Sequence, residues 1–158
     1  MGPLSHFDAQ GASRMVDVGD KDVTVRRARA SGWVRMRPET LQLVRAGKVG
    51  KGDVLEVARL AGIMAAKRTG ELVPLCHVLP LDAVSVRFEF PDAATLAIEA
   101  EARATARTGV EMEAICAVSI AAVTVYDMCK SVDRAMVIDR VRLEEKSGGR
   151  SGHFVREE

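Results

Sequence analysis

The stretch from Thr108 to Lys130, T-G-V-E-M-E-A-I-C-A-V-S-I-A-A-V-T-V-Y-D-M-C-K, constrains the chain more than any other. From Ala114 to Val125 every side chain is apolar or small, and a helix that is apolar all round is buried on all sides. Thr108 followed by Glu111 reads as a T-x-x-E capping box that opens the helix. Ala114, Ala117, Ser119, Ala121 and Ala122 let another backbone come close. Carboxylates mark both ends, with Glu111 and Glu113 in the first turn and Asp127, beside Lys130, in the last. Glu113 and Asp127 stand roughly 21 Å apart along a helix, too far for one copy to bring both to a single small molecule. Two copies packed antiparallel would set the glutamates of one beside the Asp127/Lys130 pair of the other. The expectation is therefore a site shared between subunits.

A length of 158 residues fits one domain with its own core. A net charge of +1 gives no global attraction to nucleic acid or to a membrane surface. The apolar run 114–125 is shorter than a bilayer span, and no basic-then-apolar leader opens the sequence. Cys76, Cys116 and Cys129 are odd in number and lack C-x-x-C spacing, so they read as reduced thiols and not as a disulfide frame or zinc site. Together these features predict a cytoplasmic protein.

Residues 1–22 lack a sustained period and are expected to form a flexible arm, with a short extended piece over Arg14 to Val18. Lys21 to Met36 alternates as a strand with an irregularity at Gly32. Pro38 opens a short helix over Thr40 to Ala46. A long helix runs from Asp53 to Thr69, capped by Asp53 with Glu56 and striped by Val54, Val57, Ala58, Ala61, Met64 and Ala65, and Gly70 is expected to stop it. Pro74 and Pro80 bracket an extended connection, P-L-C-H-V-L-P. Ala83 to Phe90 and Thr95 to Arg103 alternate as a hairpin around Pro91-Asp92-Ala93. After the long helix, a last strand covers Ala135 to Leu143, with a bulge near Asp139. The domain is expected over residues 23–146, and 147–158 as a flexible Gly/Ser-containing tail. The order β-α-β-β-α-β predicts an α+β, ferredoxin-like sandwich: a four-stranded antiparallel sheet with two long helices on one face, plus a short extra helix.

Residue chemistry alone offers scattered candidates. Asp127 and Lys130, at i and i+3, suit a general base held ionised by its partner, or an ordinary surface ion pair. Cys76-His77 is a poor metal site because zinc wants three or four convergent donors. Arg26, Lys48, Lys51, Lys67 and Lys146 form a cationic set suited to phosphate, or to solvated surface. Few aromatic residues, with Phe88 and Phe90 in the core phase, argue against an RNA-reading sheet. A non-catalytic small-molecule sensor is the competing class.

Three motifs together go further: L-V-P-L-C-H-V-L-P-L after the helix from Lys51, T-G-V-E-M-E-A from Thr108, and Y-D-M-C-K-S-V-D from Tyr126. With R-M-V-D-V near the start and E-K-S-G-G-R-S-G near the end, the chain resembles the MoaC family, the cyclic pyranopterin monophosphate synthases of molybdenum-cofactor biosynthesis. The resemblance spans about Leu4 to Gly152. It implies a homohexamer, a trimer of dimers, with active sites at a subunit interface. It also implies a lyase that turns a cyclic guanosine triphosphate derivative into cyclic pyranopterin monophosphate and pyrophosphate. Asp127 matches the catalytic aspartate and Lys130 the lysine beside it. Leu75, Cys76, His77, Met112 and Glu113 match substrate-contacting segments, and Glu111, Lys51, Lys67, Arg26 and Lys146 match polar residues around the pocket. No resident cofactor or metal ligand is implied, with Mg²⁺ an option accompanying the triphosphate.

Overall fold

The computed structural model describes residues 6–8, 10–47, 49–50, 52–150 and 152–157. Lys48 and Lys51 lie outside them. The elements are β1 (Thr24–Arg35), α1 (Pro38–Arg45), α2 (Val54–Lys67), α3 (Thr69–Leu72), β2 (Ala83–Glu89), β3 (Thr95–Ala106), α4 (Glu111–Cys129), β4 (Val137–Ser147) and β5 (Phe154–Val155). The strands form one antiparallel sheet in the order β2-β3-β1-β4-β5. Its first four strands have the expected ferredoxin-like arrangement, and α2 and α4 cover one face. The sheet has five strands, not four. Lys146 and Ser147 close β4, and Phe154–Val155 returns along Glu145–Lys146, so this part of the expected tail is paired with the sheet.

Alternation decides which face is buried. Arg26, Ala28, Ala30, Gly32 and Val34 of β1 point inward, with Leu96, Ile98, Ala100, Ala102 and Ala104 of β3 beside them. Val23 and Val25 are exposed. The inward rows are mostly alanine, so α4 lies very close to the sheet, with Val118 directly over Gly32. The pairing of β1 with β4 shifts register around Gly32 and Asp139, where both irregularities were expected, and again between Arg29 and Ala30.

Three expectations for the helices are corrected. First, α4 is not buried on all sides. Ala114, Ala117, Val118, Ala121, Ala122 and Val125 are buried, but Val123 is 51% exposed, because α2 and the sheet cover only part of the circumference. At nineteen residues and a mean hydropathy of 1.5, α4 is long and apolar enough to cross a bilayer by length and composition, but half of that span is buried within the fold, as in a core helix. Second, the buried stripe of α2 is Val54, Ala58, Gly62, Ala65 and Ala66, while Val57 and Met64 are exposed. A Cβ at Gly62 would stand 2.9 Å from the Ala117 carbonyl oxygen, and this close crossing rotates the helix away from the expected stripe. Third, Gly70 does not stop a helix but lies inside the short α3. Asp53 caps α2 as expected, accepting from the Leu55 and Glu56 N–H groups.

Candidate active site

The loop between β3 and α4 sits at the centre of a two-lobed cleft. The residue preceding α4 is Val110, and no side chain caps the helix, so the Thr108 capping box is not formed. Thr108 and Gly109 instead form cleft wall, shared by both lobes together with Glu111.

One lobe, a cavity of about 510 Å³, is strongly cationic: Lys21, Arg26, Arg107, Lys146 and Arg150 line it, against Asp22 and Glu111. Lys146 Nζ lies 2.7 Å from Glu111 Oε1. An incoming anion would therefore meet Lys146 already oriented by a carboxylate. The other lobe, about 340 Å³, is more apolar and is lined by Leu75, Cys76, His77 and Met112, with His6 and Val73. The proline-bracketed connection supplies the first three by turning after α3, where the Cys76 N–H donates to the Val73 carbonyl. Burial is the main cause that pushes the thiols of Cys76 and Cys116 above their ordinary range, with the nearby Glu113 carboxyl adding to it.

Glu113 lies behind this lobe and is only 2% exposed. Its Oε2 has no hydrogen-bond partner among the described residues. Desolvation raises its pKa to about 7, and the neighbouring Glu111 charge acts in the same direction. Near neutrality, this carboxyl is balanced between a proton donor and an acceptor.

Asp127 and Lys130 form an ion pair of 2.6 Å on the exposed end of α4. The hydrogen bond and charge of Asp127 hold the ammonium pKa above its usual value. The pair lines neither lobe of the cleft. The corner that carries it is fixed from behind by Asp133, the buried last residue of the Y-D-M-C-K-S-V-D motif, to which the sequence assigned no role. Its carboxylate accepts from the Arg37 N–H at 2.9 Å, the Ala135 N–H at 3.1 Å and the Thr40 hydroxyl at 3.2 Å. The Arg37 backbone bond is the foremost reason its pKa is lowered. The Tyr126 hydroxyl, donating to the Arg134 carbonyl, adds a further tie.

The cleft thus brings together Leu75, Cys76, His77, Met112, Glu111, Arg26 and Lys146, with Glu113 just behind. Lys67 is exposed in the last turn of α2 and lines neither lobe. Lys51 falls outside the described residues. Lys21 and Arg107 were not foreseen, although Arg107 adjoins the T-G-V-E-M-E-A motif and Arg150 belongs to the Gly/Ser segment. Among the described residues no three His, Cys, Asp or Glu side chains converge as metal ligands would.

A cationic lobe beside a smaller, more apolar one, on a ferredoxin-like sandwich, suits a small molecule that carries anionic groups. The MoaC family model matches residues 15–149, and the chain belongs to that family. It is 62% identical to cyclic pyranopterin monophosphate synthase 3 of Mycobacterium tuberculosis, over 98% of this chain and 88% of that protein. It is 63% identical to the cyclic pyranopterin monophosphate synthase of Chloroflexus aggregans, over 98% and 94%. It is 55% identical to that of Heliobacterium modesticaldum, over the full length of both.

Proposed function

We propose that the chain is a cyclic pyranopterin monophosphate synthase of molybdenum cofactor biosynthesis. It is a phosphorus–oxygen lyase that converts (8S)-3′,8-cyclo-7,8-dihydroguanosine 5′-triphosphate into cyclic pyranopterin monophosphate and pyrophosphate. The observation that carries this reading is the two-lobed cleft hinged on Glu111, in a chain whose relatives of that name match it almost end to end. The cationic lobe suits a triphosphate, and the Leu75–Cys76–His77 and Met112 lobe suits a flat ring system.

The chemistry divides accordingly. A sugar hydroxyl gives up its proton to water and forms a new bond to the α-phosphorus, the bond from the α-phosphorus to the bridging oxygen breaks, and pyrophosphate leaves with that bond's electron pair. Lys146, Arg107 and Arg150 stabilise that charge by position and electrostatics. Lys51 and Lys67 belong with the phosphates by resemblance. The ring rearrangement moves protons between nitrogen, carbon and water, and Asp127 with Lys130 serves as the base and acid pair. Glu113 faces the ring side.

These parts meet only between copies. The exposed apolar strip formed by Val57, Leu60 and Met64 of α2 and Val123 of α4 supports a helix-to-helix contact. Antiparallel apposition across it sets the Asp127/Lys130 pair of one protomer at the cleft of its partner, within a cytoplasmic homohexamer built as a trimer of dimers. Incubation of the purified protein with the cyclic triphosphate tests the reading. Cyclic pyranopterin monophosphate and an equimolar amount of pyrophosphate are expected. Binding without pyrophosphate release would instead identify a sensor.

A further inference from the structure

We infer that Arg26 acts in this reaction as a positioning residue: its guanidinium ties the Arg107–Gly109 turn and the Gly148–Arg150 turn to β1, and so sets where the cations of the polar lobe stand. The inference rests on reading that lobe as the phosphate side.

The residue is 7% exposed, and each of the three guanidinium nitrogens donates one hydrogen bond to a backbone carbonyl. Nε donates to the Ala106 carbonyl at 3.2 Å, Nη2 to the Arg107 carbonyl at 3.2 Å and Nη1 to the Gly148 carbonyl at 3.1 Å. These acceptors lie at the end of β3, at the start of the turn into α4, and just past β4. Arg107 in turn donates from Nε to the Lys21 carbonyl at 3.1 Å, so the tie extends to the segment before β1. Lys21, Arg107, Lys146 and Arg150 are all within two residues of a backbone group held by this network.

The glycines of the tail fit around the same group. Gly148 and Gly149 have φ of 101° and 72°. A Cβ at Gly149 would stand 1.6 Å from Arg26 Nη1, and one at Gly148 would stand 2.2 Å from the Val25 carbonyl oxygen. The chain therefore crosses directly over the guanidinium, which only glycine allows at that distance and in that conformation. Three acceptors spread around a planar fork require an arginine, and a single ammonium cannot replace it.

The test compares Arg26→Lys, Arg26→Gln and Gly149→Ala in the full-length protein. Turnover of the cyclic triphosphate, binding of inorganic tripolyphosphate and hydrogen exchange across residues 106–109 and 146–150 would be measured. Arg26→Lys is expected to fall with Arg26→Gln, each losing on the order of 100-fold in kcat/KM, the scale of a small misplacement of binding groups. Gly149→Ala, which removes no charge, is expected to lose a similar factor, with faster exchange confined to the two turns and an unchanged oligomer. Wild-type KM and tripolyphosphate affinity in Arg26→Lys, alongside losses in Arg26→Gln, would overturn the inference and show direct charge contact. So would a silent Gly149→Ala. If the wild type binds no tripolyphosphate, the phosphate reading of the lobe fails, while exchange protection of the two turns still decides whether Arg26 ties them.

Discussion

Glu113 carries an unusual combination for a carboxyl: near-complete burial, a pKa of about 7 and one oxygen without a partner among the described residues. Because its folded pKa lies above the ordinary carboxylate value, the native state holds a proton that the unfolded chain has released. The stability this gives is fully present below about pH 4.5 and is lost as pH rises through about 7. A rise of that size in one carboxyl's pKa corresponds to about 3 kcal/mol. Urea unfolding at fixed protein concentration should therefore show wild-type stability falling by about that much between roughly pH 5 and pH 8, relative to Glu113→Gln, in which the titration is absent. Parallel pH profiles for the two proteins would remove the basis for an uncharged Glu113. Asp127 and Lys130 are different: exposed and paired, they contribute little to stability, and the role proposed for them is chemical. Asp127→Asn or Lys130→Ala should cut turnover by about 100-fold or more, the range of lost general acid–base catalysis, with the melting temperature and oligomer size unchanged. Wild-type turnover in either variant would remove that residue from the mechanism. Asp133 marks what sequence reading missed here. It closes the Y-D-M-C-K-S-V-D motif, but a carboxylate that organises a corner through backbone N–H groups leaves no spacing from which that role can be read.

Among the elements, α4 shows how far periodicity reaches. Its existence, its length and the charged groups at its ends are readable because an apolar run flanked by carboxylates has few alternatives. Its exposed strip is not, because a sequence apolar all round does not say whether its own fold or another copy covers the remaining side. The stripe of α2 was displaced for a related reason. Gly62 adds little to an apolar pattern, yet in space it is the point of closest crossing with α4. Gly62→Val should cost about 1–3 kcal/mol through overpacking, despite the better helix propensity of the replacement. Chemical denaturation measures it, and a neutral or stabilising result would mean that the helix pair has slack the structure does not show. The hairpin, the Asp53 cap and the irregularities at Gly32 and Asp139 were all legible, since each is a local departure from period two or a local capping pattern. The β4–β5 return was not: a Gly/Ser-rich segment has no apolar phase, and its pairing depends on Arg26 and on β4, which are distant in sequence.

At the scale of the whole molecule, the cleft and the Asp127/Lys130 pair stand at opposite ends of α4, about 21 Å apart along the helix. The cleft at the start of α4 gathers the cations on one side and Leu75, Cys76, His77 and Met112 on the other, and the Asp127/Lys130 pair lies outside it. In the proposed mechanism a partner protomer closes this gap. Mixing Asp127→Asn with Glu113→Ala subunits under conditions of verified exchange tests it most directly. In a two-fold pair, each mixed dimer regains one site in which both residues are wild type. Random pairing then predicts recovery of about a quarter of wild-type turnover from two inactive parents. No recovery after demonstrated subunit exchange would contradict the claim and place the whole reaction within a single chain.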